Sequence, residues 1–384
     1  MRRLAIRLGE PPPEIEGNMV SRWERGSHEP GPRYVRLLTL IFDRRPGELG
    51  LRDPELEASG ERAAETTALL DAARVSDFDP TALDGVDGVV DRLCRAYSTQ
   101  APAALLPRVQ QRLWQLQHHL ASRLTMTQHR RLLEASGWLH LLLAALHYDL
   151  SEREPADGTR DLALHLGTET GHLEIQGWAF ETSAYFNLAE RAREAADLAE
   201  AGRGVAPLGT HAAAAVTIQE ARAWARLHDR PRAEEALLRA AKVIEVLPPV
   251  DNPQHHFRFD AAKFLHYAHT AYAWLGMPDH TERYARQAIV AFGDPAGRNH
   301  WPSRVTTARL DLAVALAQRG SLDEAVATGV DALAGASWMR RFQLDKADDV
   351  AAALRGAPAG GRQEYEERLA LAKRASGERA RVDW

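Results

Sequence analysis

The amino-acid sequence predicts an all-α protein with a small N-terminal helical domain and a long array of helix pairs behind it. Three observations predict this class. From Val89 to about Gly356, apolar residues recur at helical spacing without strand-like alternation. Small residues recur at three fixed distances after each of four turns. The first 52 residues read as short helices separated by Gly and Pro.

The first predicted helix runs from Arg2 to Gly9. Leu4, Ala5 and Leu8 are spaced so that they share one face, which we expect to point into a core. The long turn Glu10–Gly17 follows, and its three consecutive prolines end the helix and stiffen the connection.

The second predicted helix lies between Asn18 and Pro30. Asn18 suits an N-cap, Gly26 suits a left-handed C-cap, and Pro30 cannot continue a helix. The apolar side chains share one face and should point into the core: Met19, Val20 and Trp23. The polar side chains should point outward: Ser21, Arg22 and Arg25. A Ser/Arg front on an apolar back suits base readout in DNA, since Arg can bond guanine bidentately.

A third helix is predicted over Arg33–Phe42 and a closing turn over Pro46–Leu51. Together with the segment Val20–Gly26, these elements resemble the helix-turn-helix domain of XRE-type (Cro/repressor-like) transcription regulators. In that family the Val20–Gly26 segment is the recognition helix. The chain departs from the pattern in its long turn and in lacking, at Met1, the helix that normally comes first. The alternative interpretation is an ordinary amphipathic helix with good capping residues.

The resemblance implies a double-stranded DNA operator as partner. The DNA-binding candidates are Arg2, Arg3, Asn18, Ser21, Arg22, Arg25, His28, Arg33 and Tyr34. Four of them would bond phosphates and so fix the register of the domain: Arg2, Arg3, Arg33 and Tyr34. For each of these four residues, a solvent-exposed side chain without any role in DNA binding is an equally good interpretation.

Residues 53–88 are predicted to link the two domains. A Glu- and Ala-rich helix is expected from Asp53 to Val75, and a loop from Ser76 to Gly88, where one proline and two glycines lie among acids. The repeat domain is then predicted over residues 89–356, and a capping helix with a tail over residues 357–384.

The repeat prediction depends on aligning four turns, at Glu190, His228, Gly276 and Gly320. Small residues recur five, nine and twelve positions later: Ala195, Ala233, Thr281 and Ala325; Ala199, Leu237, Ala285 and Gly329; Gly202, Ala240, Ala288 and Ala332. Small residues at such spacings let paired helices approach closely, which resembles tetratricopeptide (TPR) packing. An earlier pair around Trp138–Leu166 fits less clearly. A generic Ala-rich helical bundle is the alternative.

The inner surface of such an array is where a peptide, small-molecule or protein effector would bind. The candidate groove residues are Trp178, Tyr185, Trp224, Phe257, Phe259, His266, Tyr267 and Tyr272. Singly, each helical aromatic is as well explained by a core position. His266 and His269 have a spacing that suits a metal, but no further ligand set completes a site, so neither metal nor cofactor is expected.

Composition and charge agree with these predictions. Cys94 is the sole cysteine, so neither an intrachain disulfide nor a thiolate cluster is expected. No apolar run is long enough to span a membrane, and a cytoplasmic location is expected.

Residues 1–52 carry ten Arg against seven acids, a net +3 in a chain of net charge −5. Walker A, dinucleotide-binding, HExxH and GxSxG patterns are all missing, so no enzyme is expected.

As a whole, the chain resembles bacterial regulators that join an XRE domain to a TPR-like solenoid, some of which are peptide-pheromone receptors. The resemblance implies a transcription regulator that forms a homodimer through the solenoid. The alternative is a TPR adaptor that binds a protein partner and whose helix-turn-helix has decayed and binds no DNA.

Overall fold

The computed structural model describes residues 1–15, 17–51, 80–122, 124–294, 296, 300–334 and 339–382. These residues form seventeen α-helices and two short 3-10 helices, and they contain no strand. The all-α class predicted from the sequence is therefore confirmed. The chain divides into a first unit, Met1–Phe78, and a second unit, Asp79–Trp384.

The first unit contains α1 (Arg2–Arg7), α2 (Met19–Glu24), α3 (Pro32–Phe42) and a 3-10 turn (Pro46–Leu49). Its described residues bury only four side chains: Ala5, Pro13, Val35 and Leu37. Trp23 on α2 is half-buried and packs on Tyr34 of α3, with ring centroids 5.0 Å apart. This unit therefore has a small core, shared mainly between α1 and α3.

The helices of the second unit are α4 (Pro80–Ala96), α5 (Pro102–Leu120), α6 (Met126–Asp149), α7 (Arg153–Thr170), α8 (Leu173–Asn187), α9 (Ala192–Val205), α10 (His211–Arg226), α11 (Arg230–Glu245), α12 (Ala261–Trp274), α13 (Pro278–Gly293), α14 (Pro302–Gln318), α15 (Leu322–Ala334), α16 (Arg341–Ala353) and α17 (Ala359–Val382), with a 3-10 turn at Leu354–Gly356. Consecutive helices from α5 to α15 pack side by side, apart from a looser contact between α11 and α12.

The start of α4 corrects one prediction. The expected loop Ser76–Gly88 is helical from Pro80 onward, while its first residues and the expected helix Asp53–Val75 lie outside the described residues. An apolar stripe is buried along α4: Leu83, Val86, Val90 and Leu93. Its packing outweighs the cost of two glycines, which is about 1 kcal/mol each relative to alanine in a helix.

The helix pairs form two layers. The even-numbered helices from α4 to α16 each contact the next even-numbered helix and so build a continuous inner layer. The odd-numbered helices from α5 to α17 lie outside it. At the end of the series, Arg340, just before α16, forms an ion pair with Asp149 at the end of α6, at 2.7 Å between Nε and Oδ2. The segment that leads into the last inner helix, α16, therefore contacts the end of the early inner helix α6.

The four aligned turns of the sequence all fall between paired helices. His228, Gly276 and Gly320 have positive φ angles of 56°, 67° and 83°. All twelve small or compact residues counted from these turns are buried on the outer helices. At Gly202 an added Cβ would lie 2.6 Å from Cβ of Phe180, so the two helices meet too closely there for any side chain.

The same spacing extends to the pair α6–α7. Ser151 has a φ of 65° in the turn between these helices, and the residues five and twelve positions later, Ala156 and Ala163, are fully buried. The pair that fits less clearly in the sequence therefore packs in the same way. An Arg at the middle position, Arg160, had obscured the pattern.

The long connection between α11 and α12 folds back onto the inner layer. Phe257 is buried against Trp178, with ring centroids 5.2 Å apart. Lys263, also buried, donates hydrogen bonds from Nζ to the carbonyl oxygens of His255 (2.6 Å) and His256 (3.3 Å). A buried lysine nitrogen bonded to several carbonyl oxygens holds this connection in place.

None of the described helices is both long enough and apolar enough to cross a membrane.

Candidate functional site

The DNA-binding candidates on α2 are mostly at the surface. Arg22 and Arg25 are exposed and Ser21 is half-buried, while Arg25 Nε donates to the carbonyl oxygen of Ser21 at 3.0 Å. Asn18 occupies the N-cap position, but its side chain makes no capping hydrogen bond. That part of the prediction is wrong, because Asn18 has αR backbone angles (φ −100°, ψ −4°) instead of the extended ones that direct a cap inward.

The other candidates of the first unit fall into two groups. Arg2, Arg3 and His28 are exposed. Arg33 and Tyr34 hold the long turn: Tyr34 donates its hydroxyl hydrogen to the carbonyl oxygen of Glu14 at 2.8 Å. Arg33 donates to the carbonyl oxygen of Pro11 and lies 3.7 Å from the carboxylate of Glu10. These two side chains fix the geometry of the turn between α1 and α2.

The second unit contains a cavity of about 240 Å³, partly open to solvent and lined mainly by the inner layer. We call it the inner cavity. Its charged lining residues are Glu181, Arg222, Arg226, Arg304, Arg340, Asp345, Lys346 and Asp349. Its aromatic lining residues are Tyr97, Tyr148, Tyr185, Phe186, His256, His266, Tyr267, Trp274, Trp301 and Phe342. Side chains from six inner helices therefore converge on one volume.

Arg222 of α10 lies in an aromatic box. Its guanidinium carbon is 5.0 Å from the ring centroid of Tyr267, 5.1 Å from that of Trp274 and 5.7 Å from that of Tyr185. Its Nη1 donates to Oε1 of Gln219 at 2.8 Å. Burial lowers the pKa of Arg222, yet no carboxylate forms an ion pair with it among the described residues.

Arg304 of α14 is the second buried guanidinium. It stacks over Trp301 at 3.8 Å and lies 5.6 Å from the ring centroid of Tyr267. Its Nη1 is fully buried and has no hydrogen-bond partner. Within the part of the chain that the structure describes, no carboxylate forms an ion pair with Arg304. Burial lowers its pKa as well.

Glu181 of α8 completes a short polar chain with these groups. Its Oε1 accepts from Nε2 of Gln219 at 2.6 Å, and Gln219 in turn accepts from Arg222. Burial raises the pKa of Glu181 to about 7, against the lowering effect of the hydrogen bond from Gln219. Near neutral pH this carboxyl group is therefore only partly ionised.

A second buried polar chain reaches the cavity from α12, α14 and α16. Asp311 accepts from the ammonium of Lys346 and from Nδ1 of His269, the latter at 2.9 Å. His269 Nε2 lies 3.2 Å from Nδ1 of His266, which lines the cavity. Burial lowers the pKa of both histidines. In spite of burial, Lys346 and His269 keep the pKa of Asp311 below its usual range.

These protonation states fix the direction of the hydrogen bonds. An ionised Asp311 can only accept, so His269 donates from Nδ1 and its Nε2 becomes an acceptor. His266 must then donate from Nδ1, which leaves its Nε2 as an acceptor. His266 is therefore a hydrogen-bonding group of the cavity wall, and His269 fixes its orientation from behind. The described residues contain no group of three His, Cys, Asp or Glu that could hold a metal ion.

The rim of the cavity includes the contact between α6 and α16. Asp149 accepts from the hydroxyl of Tyr97 at 2.7 Å and forms the ion pair with Arg340. The side chains of Asp149 and Arg340 are 2% and 6% exposed. Burial opposes the charge on Arg340, but Asp149 raises its pKa above the usual range.

The groove residues predicted from the sequence separate into three groups. Tyr185, His266 and Tyr267 line the inner cavity. Trp178, Phe257 and Phe259 are buried beside it in the packing of the long connection. Trp224 and Tyr272 face the outer helices, where Trp224 stacks with Arg232 and Tyr272 with Tyr284.

The charged residues of the cavity were not predicted from the sequence. A weak signal for Arg222 existed: residues 211–225 are so rich in alanine that they suggest a helix packed on all sides, where a polar residue needs a partner inside the protein. The structure buries all fifteen of these residues. Arg304 lies on α14, which likewise buries most of its residues, Asp311 among them. Lys346 carries no such signal, because α16 places several charged residues beside it in solvent.

No protein-family model, curated protein or solved structure matches the chain.

Proposed function

We propose that the protein is a DNA-binding transcription regulator whose second unit is a TPR-like solenoid that binds a small effector. The inner cavity is the observation that carries this proposal. Its lining extends from Tyr97 to Asp349, so one bound molecule would contact inner helices from both ends of the series. An effector that binds more tightly to one arrangement of these helices shifts the protein toward that arrangement.

The size of the cavity favours a small molecule over an extended peptide. Ligand pockets usually have volumes of about 300–1,000 Å³, and the inner cavity, at about 240 Å³, lies just below this range. The groove predicted for a peptide or protein effector is partly filled by the connection that carries Phe257 and by the contact between Asp149 and Arg340.

The solenoid interpretation is supported by the packing of the outer helices. Buried small residues follow each turn at the same three distances, and the even-numbered helices form an inner layer. These features are typical of TPR-like repeats, in which small residues allow the two helices of a unit to pack closely.

The DNA-binding part of the proposal is supported by the surface of α2. Arg22 and Arg25 are exposed on this helix, while Trp23 packs on Tyr34 behind it. Gly26 ends the segment with a φ of 64°. Arg33 and Tyr34 act in this proposal as supports of the turn, and Arg22 acts as the reader of base edges.

A homodimer remains part of the proposal. Regulators of this kind bind two half-sites, which lie about 34 Å apart, one turn of DNA, or a multiple of it. Pairing through the second unit would leave both copies of α2 free to contact DNA.

The test is binding of the purified protein to fragments of its own promoter at low salt, measured by fluorescence anisotropy. Arg22→Ala should weaken specific binding by ~1–3 kcal/mol, because a base contact is lost. Arg319→Ala, an exposed arginine of the second unit paired with Glu282 and Asp279, is the control and should bind as the wild type does. Failure of the wild type to bind any fragment would contradict the proposal.

The adaptor alternative is favoured by a different observation. The first unit exposes apolar side chains on α1, directly after it and on α3, namely Ile6, Leu8, Leu40, Ile41 and Phe42. An apolar surface of this kind suits contact with a protein. Under this alternative, Arg22→Ala would change no binding property, whereas Phe42→Ser would abolish partner binding.

A further inference from the structure

We propose that the inner cavity binds a small organic anion, a carboxylate or phosphate on a flat apolar body, through Arg222 and Arg304. This inference rests on the proposed function, in which the cavity is the effector site, and it assigns the chemical class of that effector. Three independent features of the cavity carry it: unpaired buried cations, their aromatic supports, and the location of the acids.

The first feature is that both guanidiniums are buried without a counter-ion. Each side chain belongs to a residue that is only 7% exposed. Arg222 bonds one neutral amide, and Arg304 makes no side-chain hydrogen bond with any described residue. A buried charge is costly unless it is paired and hydrogen-bonded. Arginine stays protonated in proteins, so loss of its proton does not relieve this cost.

The second feature is the way in which the two guanidiniums are held. Arg304 stacks on Trp301, and Arg222 lies among Tyr185, Tyr267 and Trp274. A guanidinium that stacks on a ring keeps its in-plane N–H groups for a ligand, and this fork matches carboxylate and phosphate. Tyr267 lies within 6 Å of both guanidiniums, so it joins them into one site.

The third feature is the location of the compensating acids. The other two deep cations that line the cavity are already paired, Arg340 with Asp149 and Lys346 with Asp311. Asp345 and Asp349 also line the cavity, but both are exposed to solvent. Among the described residues that line the cavity, the buried acid is Glu181, whose raised pKa keeps it partly neutral. The depth of the cavity therefore carries an excess of positive charge.

The other lining residues indicate what the rest of the ligand is like. Tyr185, Tyr267, Trp274, Trp301 and Phe342 present aromatic surface, which favours a flat apolar group. His266 adds a hydrogen-bond acceptor. The volume of about 240 Å³ suits a molecule the size of a substituted aromatic acid.

The first test uses the wild-type full chain and three probes of nearly the same shape: 4-fluorobenzoate, 4-fluorophenyl phosphate and the neutral 4-fluorobenzamide. Binding is followed by fluorine NMR line-broadening. We expect at least one anion to bind about ten times more tightly than the amide, since a charged hydrogen bond is stronger than a neutral one. The preference between the two anions identifies carboxylate or phosphate as the group recognised.

The second test compares Arg222→Met and Arg304→Met with the control Arg319→Met. Each cavity variant should weaken anion binding by about 10- to 100-fold and leave the weak binding of the amide unchanged. Both cavity variants should also melt at or above the wild-type temperature, because each loses an unpaired buried charge. A purely structural arginine would give the opposite result, a lower melting temperature with anion binding retained.

Equal binding of the amide and both anions, or binding of none of the three probes, would overturn the inference. If one variant fails to fold, the probe comparison on the wild type and the other variant still decide it. Anion binding is measured without DNA, so the two proposals fail separately. A protein that binds its promoter but no anion contradicts this inference alone, and a protein that binds anions but no DNA contradicts the regulator proposal alone.

Discussion

The two units of the protein use their interiors in different ways. In the first unit the described residues bury four apolar side chains and no ionisable one. In the second unit a single helix, α10, buries fifteen consecutive residues, among them Glu220 and Arg222. The functional candidates of the first unit, such as Arg22, are therefore at the surface, whereas those of the second unit line a cavity.

This difference shows what a helix pair gains from being one of a series. A short helix with neighbours on one side can bury only a stripe, so its charged residues stay in water. An inner helix of a series is covered by its own partner and by both neighbouring units. Polar side chains can then be buried, and another unit can supply their partners, as Lys346 does for Asp311.

The largest expected effect is at the contact between α6 and α16. Arg340→Met would leave Asp149 charged and buried without its counter-ion, and it should lower the free energy of unfolding of the second unit by ~3–5 kcal/mol. Urea denaturation followed by circular dichroism measures this change. The exposed pair of Arg319 is the matched comparison, and Arg319→Met should cost ~0–1 kcal/mol. Equal effects of the two substitutions would contradict the structural role of the buried pair.

The next effect is a pH dependence confined to the second unit. The pKa of Glu181 is raised in the folded protein to about 7 from an ordinary value of 4.5, so the folded state holds the proton more tightly. Glu181 should therefore make the folded protein less stable as the pH rises from about 5 to 7, by up to ~1.4 kcal/mol per pH unit, while buried histidines such as His266 and His269, whose pKa burial lowers, act in the opposite direction. Thermal melts of the wild type and of Glu181→Gln over this range isolate the contribution of Glu181: the wild type should lose stability relative to the variant as the pH rises. A difference in stability between the two proteins that does not change with pH would contradict this prediction.

The smallest effect compares two N-caps. Asp229 at the start of α11 accepts from the backbone N–H of Arg232 at 3.2 Å, and Asp229→Ala should cost ~1 kcal/mol. Asn18 makes no such bond, so Asn18→Ala should change stability by less than ~0.5 kcal/mol. Melting temperatures of the two variants test this contrast. A larger loss for Asn18 than for Asp229 would mean that the first unit uses a cap that the structure does not show.

Much of the secondary structure could be predicted from the sequence, because it depends on local spacing. The helix predicted over Arg33–Phe42 is found over Pro32–Phe42, and all four aligned turns lie between paired helices. The predictions failed where a local signal was overruled. Gly85 and Gly88 suggested a loop, but the apolar stripe of α4 packs against α6 and keeps them helical.

The cavity depends on information that no short window of sequence contains. Arg222 and Arg304 are more than eighty residues apart, and the sequence around one arginine contains nothing that points to the other. They share Tyr267 only because α10, α12 and α14 are neighbours in the inner layer. Trp224 and Tyr272, which also looked suitable for a groove, are on the outward-facing sides of the same helices.

By itself, the sequence determined that the protein is helical, where its helix pairs turn, and which residues let the paired helices approach, because these properties follow from the spacing of small and apolar residues. Only the tertiary structure decided which charges are buried and which of them meet. That outcome depends on how the inner helices stack and on the return of α16 to α6, where Arg340 meets Asp149 across nearly two hundred residues of chain.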